Sequence, residues 1–338
     1  MRYHLMKNNR IFDDIMKVIK DNHAFLIISH VNPDGDAIGS ELAMLQFLKK
    51  LDKKAIIVNQ DELPKIYDFL PNNREYIKET NINRDLIDKI NIAIILDSSN
   101  LNRIGDAHNI LQKKTFIINI DHHCSNDDYG HINYVDTSAS STGEIIFDFI
   151  KYFDPNILDK SIATCLFAAI MTDTGSFRYE NTTKKTFEIV SMLASTGIKT
   201  HVIAQNIYNR RTFGDLKLLG LVLATLEEDE NGKISWVTIN RKMLERTHTT
   251  DENTEGIIEM VNSLKESEVS LLFRETYDQH VKISLRSKGH FDVNQFALAF
   301  NGGGHPNAAG CLCKGNIDFV KNEILSTLKT KIREKYSL

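Results

Sequence analysis

The 338-residue chain has four cysteines, one tryptophan, no long apolar run and no excess of positive charge. Cys124, Cys165, Cys311 and Cys313 are too few and too irregularly spaced for a disulfide framework. Cys311-x-Cys313 has no second pair at zinc spacing, which leaves free thiols in a reducing cytoplasm as the expectation. No stretch approaches the roughly 18 apolar residues of a membrane span, and Met1–Arg10 lacks the apolar core of a signal peptide. A formal net charge of −4 argues against the broad basic face that captures long nucleic acid. It leaves room for a small anion held by a few local cations and metals. Trp236 and the other aromatics form no recognisable base-stacking motif, so core packing is their expected role. There is no internal repeat and no low-complexity tract.

What is present is ordinary in amount: 42% hydrophobic and 25% charged residues, at a length suited to about two domains. Phe25–His30 is a short apolar run ending in polar residues, the pattern of a buried strand. After the turn Asn32-Pro33-Asp34-Gly35-Asp36, Ile38, Leu42, Leu45 and Leu48 recur at helical spacing. Further strands are expected at Ala55–Val58, Ile92–Leu96 and Phe116–Ile120. Helical patterns separate several of them, which predicts an α/β domain with a parallel sheet and helices on both faces. Ser141-Thr-Gly-Glu144 has capping-box spacing ahead of the helix Ile145–Ile150, and a second helix, Ile162–Met171, delivers Asp173. Residues 1–197 are taken as the first domain. The polar stretch 198–215 is the expected linker, although an amphipathic helix fits its pattern equally well. From Leu216 the style changes, and Ile234–Ile239, Val269–Phe273 and Val281–Leu285 predict a second sheet in a smaller domain, 216–338.

Four segments rich in acid and histidine sit where strands or helices end: His30-x-x-x-Asp34-x-Asp36, Asp97, Asp121-His122-His123 and Asp173. Each has a plain structural alternative. Asp34 and Asp36 suit a Pro-Asp-Gly turn, Asp97 could cap the segment after its strand, and Asp173 could be a loop residue. Adjacent histidines after a buried strand have no packing reason, and one can ligate a metal while the other points to substrate. Carboxylates and imidazoles suit Mn²⁺, Mg²⁺ or Zn²⁺, and a surplus of them over one ion's need suggests two metals of the kind that clamp phosphoryl oxygens. Ligands in open α/β sheets gather at the carboxyl ends of strands, and His30, Asp97 and Asp121 each follow an apolar run directly.

The same segments resemble the four motifs of the DHH phosphoesterases. Gly302-Gly303-Gly304-His305-Pro-Asn-Ala-Ala-Gly310 is similar to the signature of their DHHA1 substrate domain. The likeness covers nearly the whole chain, and it is greatest to the stand-alone nanoRNase and pAp phosphatase (NrnA) type. Ala139–Glu144, Phe177-Arg178-Tyr179 and Ser284-Leu-Arg286-Ser287 add to it. It implies a catalytic DHH domain and a DHHA1 domain with a mixed sheet. One metal is then held by His30, Asp34 and Asp97, and a second by Asp36, Asp97, His122 and Asp173, with Asp97 bridging. His123 contacts the scissile phosphate and aids protonation of the leaving group. Two divalent ions are implied, Mn²⁺ first, with Mg²⁺ or Co²⁺ as substitutes.

The implied activity is hydrolysis of short oligoribonucleotides to mononucleotides, and of pAp to AMP, by a water activated between two metals. Gly302–Gly304 and His305 make a plausible phosphate cradle, Arg286 a bidentate phosphate clamp, and Arg178 a further candidate of that kind. The expected partners are therefore short single-stranded RNA, pAp or pApA, without long duplexes or membrane; a homodimer is compatible. Competing readings are a soluble cyclic di-AMP or pApA phosphodiesterase and, from another class, a nucleotide-binding protein without turnover. A nuclease for long single strands would normally bring an additional nucleic-acid-binding domain.

Overall fold

A computed structural model describes residues 2–81, 87 and 89–336. The chain folds as two compact units, Met1–Arg210 and Arg211–Leu338. In the first, strands β1 (Ala24–Ile28), β2 (Lys54–Asn59), β3 (Tyr76–Lys78), β4 (Ile92–Leu96), β5 (Phe116–Asp121) and β6 (Ile132–Val135) form one sheet in the order β3-β2-β1-β4-β5-β6. Every pairing in it is parallel. Such a sheet is covered on both faces, which is why β1 and β4 read as unbroken apolar runs.

Phe25, Ile27, Ile94, Leu96, Ile118 and Ile120 pack on one face against apolar residues of α1 (Arg2–Asp21), α2 (Gly35–Lys50), α3 (Thr142–Phe153) and α4 (Lys160–Asp173). Ile189 and Leu193 of α5 (Lys184–Ser195) and Ile203 and Ile207 of α6 (Thr200–Tyr208) extend that core. Leu26, Ile28, Val58, Ala93, Ile95 and Ile117 face the other way, onto Ile87, Ile90 and the 3-10 segment Leu101–Ile110. The expected linker, 198–215, contains α6, an amphipathic helix whose apolar side belongs to the first unit.

Helices α2 and α4 approach closely because α2 offers glycine at the contact. A Cβ on Gly39 would lie 2.5 Å from the Cys165 carbonyl oxygen and 2.8 Å from the Ala169 Cβ. The nearest obstacle is backbone and cannot swing aside. Gly39→Ala is therefore expected to cost about 1–3 kcal/mol of stability, even though alanine is the better helix former. A urea melt with an unchanged or raised midpoint would refute the tight crossing.

The second unit contains α7 (Phe213–Leu223), β7 (Glu227–Glu228), β8 (Ile234–Ile239), α8 (Arg241–Thr247), α9 (Ile257–Asn262), β9 (Val269–Glu275), β10 (His280–Ser287), α10 (Val293–Leu298), β11 (Gly303–His305), β12 (Ala308–Lys314) and α11 (Ile317–Tyr336). Its sheet, ordered β11-β12-β10-β9-β8-β7, is mixed: β8 and β9 run parallel and the remaining pairs antiparallel. One face, with Val269, Leu271, Phe273, Val281, Ile283 and Leu285, is closed by α10 and α11. On the other, α7, α8 and α9 cover Val237, Ile239 and Leu272, while Lys282 of β10 and Leu312 of β12 remain exposed.

Candidate metal centre

The strand order reverses between β1 and β4: the chain moves outward through β2 and β3, then returns to the opposite side of β1. Adjacent carboxyl ends at such a switch point leave a crevice for ligands. Ile28 pairs with Ile95, so the segments leaving β1 and β4 emerge side by side. Leu96 pairs with Ile120, and the Asp97 N–H continues the ladder to the Ile120 carbonyl at 3.1 Å. His30, Asp97 and Asp121–His123 are thus gathered by register alone.

Asp97 lies at the middle of the cluster, buried and with a left-handed backbone (φ 55°). Its carboxylate is 3.4 Å from His30 Nε2, 3.5 Å from His122 Nε2 and 3.7 Å from His123 Nδ1. The Thr142 hydroxyl donates to it at 3.0 Å. Asp34 approaches His30 Nε2 at 3.9 Å, while His122 Nε2 lies 3.9 Å from Asp36 and 3.6 Å from Asp173. Three sets of side chains could each hold an ion: His30 with Asp34 and Asp97, Asp36 with His122 and Asp173, and Asp97 with His122 and His123. His30 sets its tautomer locally, because Nδ1 lies 2.8 Å from the Val31 carbonyl and Nε2 turns to the carboxylates.

Electrostatics show what this arrangement costs without a cation. Burial raises the Asp36 carboxyl, and the neighbouring Asp97, Asp173 and Asp34 push it further, well above the carboxylate range, against a hydrogen bond from the Gly143 N–H. Burial likewise lifts Asp173 to about 7; His122 opposes the shift, and Asp97 and Asp34 add to it. Asp173 Oδ2 is buried without a hydrogen-bond partner. Burial alone would depress the His30 imidazole, but the Asp97 hydrogen bond and charge, with Asp34, win and raise it to about 9. Asp97 is the exception: burial opposes its charge, yet His30, His122 and His123 hold it well below the usual range. Four crowded carboxylates and an orphaned oxygen fit divalent cations in donor type and in charge.

Supporting groups outside the sequence motifs complete the arrangement. Helix α3 begins at the cluster, and the Thr142 and Gly143 N–H groups donate to the two Asp36 oxygens at 2.6 and 2.8 Å. Ser141 caps that helix by accepting from the Glu144 N–H at 3.1 Å. The capping box is completed differently from expectation, since the Glu144 carboxylate receives the Ser140 hydroxyl at 2.6 Å. Asp121 holds His123 Nδ1 at 2.7 Å and is itself held by the Asn126 amide at 2.6 Å. The Asn181 amide donates to the Asp173 and Ser140 carbonyls. The capping spacing at Ser141, the helical reading of Ile145–Ile150 and the likeness over Ala139–Glu144 all marked α3 in advance; nothing in the sequence marked Asn126 or Asn181.

Of the anticipated phosphate ligands, Arg178 is in the first unit and directs Nε to the Gly175 carbonyl at 2.7 Å. The others belong to the second unit. Arg286 already engages Glu259 through Nε (3.1 Å) and an Nη (2.8 Å), and the Leu285 carbonyl through the other Nη (3.0 Å). Three of its five N–H donors are thereby used. The glycine run has a packing reason of its own. A Cβ on Gly302 would meet the Gly310 carbonyl oxygen at 2.2 Å, and one on Gly304 (φ +149°) the Ala308 carbonyl oxygen at 2.4 Å. Only Gly303 is open, with nothing nearer than 4.0 Å. The His305 side chain lies outside the described residues.

Comparison with known proteins finds matches to both units of the chain. Residues 24–170 match the DHH family N-terminal domain and residues 225–334 the DHHA1 domain. A bifunctional oligoribonuclease and PAP phosphatase NrnA from Thermus thermophilus is 30% identical over 327 residues, 96% of this chain and 94% of that protein. A probable protein of the same description from Streptococcus mutans is 31% identical over 300 residues, covering 88% and 92%. Among solved structures, an exopolyphosphatase-related protein from Bacteroides fragilis superposes with a TM-score of 0.90 at 28% identity, covering 96% of both chains. With both domains matched in order and relatives at this identity aligned nearly end to end, the chain belongs to the DHH phosphoesterase family and is a metal-dependent hydrolase of phosphoester bonds.

Proposed function

We propose that this enzyme hydrolyses short oligoribonucleotides to mononucleotides and pAp to AMP, using two divalent cations, Mn²⁺ foremost. The observation that carries the reading is the convergence of five further ligand side chains on Asp97, in a chain whose relatives are described as oligoribonuclease and PAP phosphatase. His30, Asp34 and Asp97 would hold one ion; Asp36, Asp97, His122 and Asp173 the other. Cations so held supply Lewis acidity, making a water nucleophilic near neutral pH and neutralising phosphoryl charge.

The chain's own groups do the positioning. The first turn of α3 fixes Asp36 through two N–H donors, so that carboxylate cannot rotate away from its neighbours. Asp121 fixes the His123 ring and turns Nε2 away from itself. Burial works against a charged His123, but the Asp121 hydrogen bond and the Asp97 charge raise its pKa. A protonated imidazole at this place can hand its Nε2 proton to the departing oxygen. No serine or cysteine nucleophile is required.

The test is a panel of substrates at equal concentration with Mn²⁺: pAp, pApA, cyclic di-AMP and RNAs of two to five residues, with kcat/KM compared across it. Preference for the short RNAs, with pAp also dephosphorylated, is expected. Preference for pApA or cyclic di-AMP would replace the substrate assignment with second-messenger turnover. Binding of nucleotides without hydrolysis of any would defeat the enzymatic reading of this site.

A further inference from the structure

The two ions proposed above are unequally supplied with negative charge. The first has Asp34 to itself and a share of Asp97, while the second has Asp36, Asp173 and the other share of Asp97. The Asp34 side chain is also 57% exposed, so water screens it, whereas Asp36 is buried. A divalent cation beside His30 is therefore less fully neutralised by its own ligands than its neighbour is. Behind His30 lies a buried carboxyl that none of the ligand motifs uses.

Strand β1 ends at Ile28, and the backbone N–H groups on either side of His30 are each taken up by another segment. The Ser29 N–H donates to Asn59 Oδ1 at 2.8 Å, and the Val31 N–H to the Arg103 carbonyl at 2.7 Å. Asn59 is the last residue of β2, a strand that brings no ligand to the centre. Its amide donates in turn to both carboxyl oxygens of Glu41 on α2, at 2.9 and 3.1 Å. Ser29, Asn59 and Glu41 are all buried.

A glutamine at position 41 could accept from the Asn59 amide just as well, without the cost of burying a charge. The hydrogen bond alone therefore gives no reason for an acid. Among the described residues no lysine or arginine forms an ion pair with Glu41. Burial raises its carboxyl to about 8 against hydrogen bonds from Asn59 and Ser29; the His30 charge favours ionisation and Asp97 opposes it. Tyr76 of β3 faces the same carboxyl, and burial and then the Glu41 charge keep its phenol protonated. A cation beside His30 acts on Glu41 in the same sense as a charged His30, and in a buried setting that attraction is strong.

We propose that Glu41 is the remote counter-charge of the first ion, a positioning residue and not a ligand. Its carboxylate steadies Asn59, Asn59 fixes Ser29 and with it His30, and its negative charge offsets the cation that His30 and Asp34 would hold. This rests on the two-ion reading above.

Glu41→Gln keeps the hydrogen bond and removes the charge. Calorimetric titration of the metal-free protein with Mn²⁺ at pH 7.5 should show one of two binding phases weakened about tenfold, the scale of losing an outer partner. The other phase should change by no more than about twofold. The metal-free variant should melt no lower than the wild type at pH 8.5. The Glu41 folded-state pKa exceeds its unfolded value, so its charge opposes folding increasingly as pH rises from the ordinary carboxyl range toward about 8. Adding Asn59→Asp returns a carboxylate to the pair with the hydrogen bond reversed, and should recover most of the lost affinity. Unchanged affinity in both phases would overturn the proposal, as would equal weakening of both with a lowered melting temperature, the mark of a merely structural role. A wild type that binds a single ion would defeat the two-ion reading instead. Weakening of that one ion by Glu41→Gln would still support the counter-charge, and unchanged affinity for it would overturn it.

Discussion

Asp97→Asn should reduce kcat/KM by at least about a thousandfold, roughly 4 kcal/mol of transition-state stabilisation, while leaving a folded protein. Asparagine is the informative replacement because it is nearly isosteric and tolerates the left-handed backbone that Asp97 adopts. It also preserves an oxygen for the Thr142 hydroxyl, which now donates to Asp97 at 3.0 Å. What it removes is the charge facing three imidazoles within 3.4 to 3.7 Å. Two consequences are measurable apart from activity. Bound manganese per chain, read by elemental analysis after dialysis, should drop for both ions because both are proposed to share this carboxylate. The His30 pKa, now about 9 through Asp97 and Asp34, should fall in the metal-free variant when followed by NMR. Substantial turnover with undiminished metal content would defeat the bridging role.

The second large effect is a reversal in how pH acts on stability. In the metal-free protein, Asp173 is raised to about 7, Asp36 well above its ordinary value, Glu41 to about 8 and His30 to about 9. Each folded-state pKa exceeds its unfolded value, so the native state binds more protons and loses relative stability as pH rises through these values. The window runs from above pH 4 for the carboxyls to about pH 9 for His30. Asp97 works in the opposite sense, but its contribution is complete above the ordinary carboxylate range. The chelated protein should therefore melt lower at pH 8.5 than at pH 6. Metal binding requires deprotonated ligands and strengthens with pH. Saturation to 100 times Kd adds about 2.7 kcal/mol, roughly 5–10 °C for a unit of this size. Calorimetric scans at pH 6, 7.5 and 8.5, with EDTA and with Mn²⁺, should show curves that diverge with pH. A gap that narrows toward pH 8.5 would contradict the ligand assignment.

How legible this was from sequence depended on the kind of signal. β4 and β8 fall on Ile92–Leu96 and Ile234–Ile239, as their apolar patterns indicate, because a strand buried on both faces admits few polar residues. The metal-centre motifs were legible because polar residues directly after such strands are conspicuous. Less visible were β6 and β12. β6 is short, only four residues, while β12 is built mainly of small residues (Ala308-Ala-Gly-Cys311) with little β-branched or aromatic character, and tertiary pairing decides strands of this kind. Helix α6 lay inside the stretch read as a linker, since two buried isoleucines among polar residues suit either state. The Glu259 partner of Arg286 and the Asn126 support of Asp121 come from contacts across 27 and 5 positions, which no local pattern marks.

The switch point between β1 and β4 also sets an order of events in synthesis. The six proposed donors run from His30 to Asp173, and the last of them ends helix α4. A nascent chain that has left the ribosome only as far as His123, just past β5, carries His30, the carboxylates of Asp34, Asp36 and Asp97 and the Asp121–His123 triplet. It still lacks Asp173 and the α3 amides that grip Asp36. On the proposed ligand set, metal loading is a late step, after emergence of nearly the whole first unit, and chains ended by premature termination ahead of α4 would lack the last of the proposed donors.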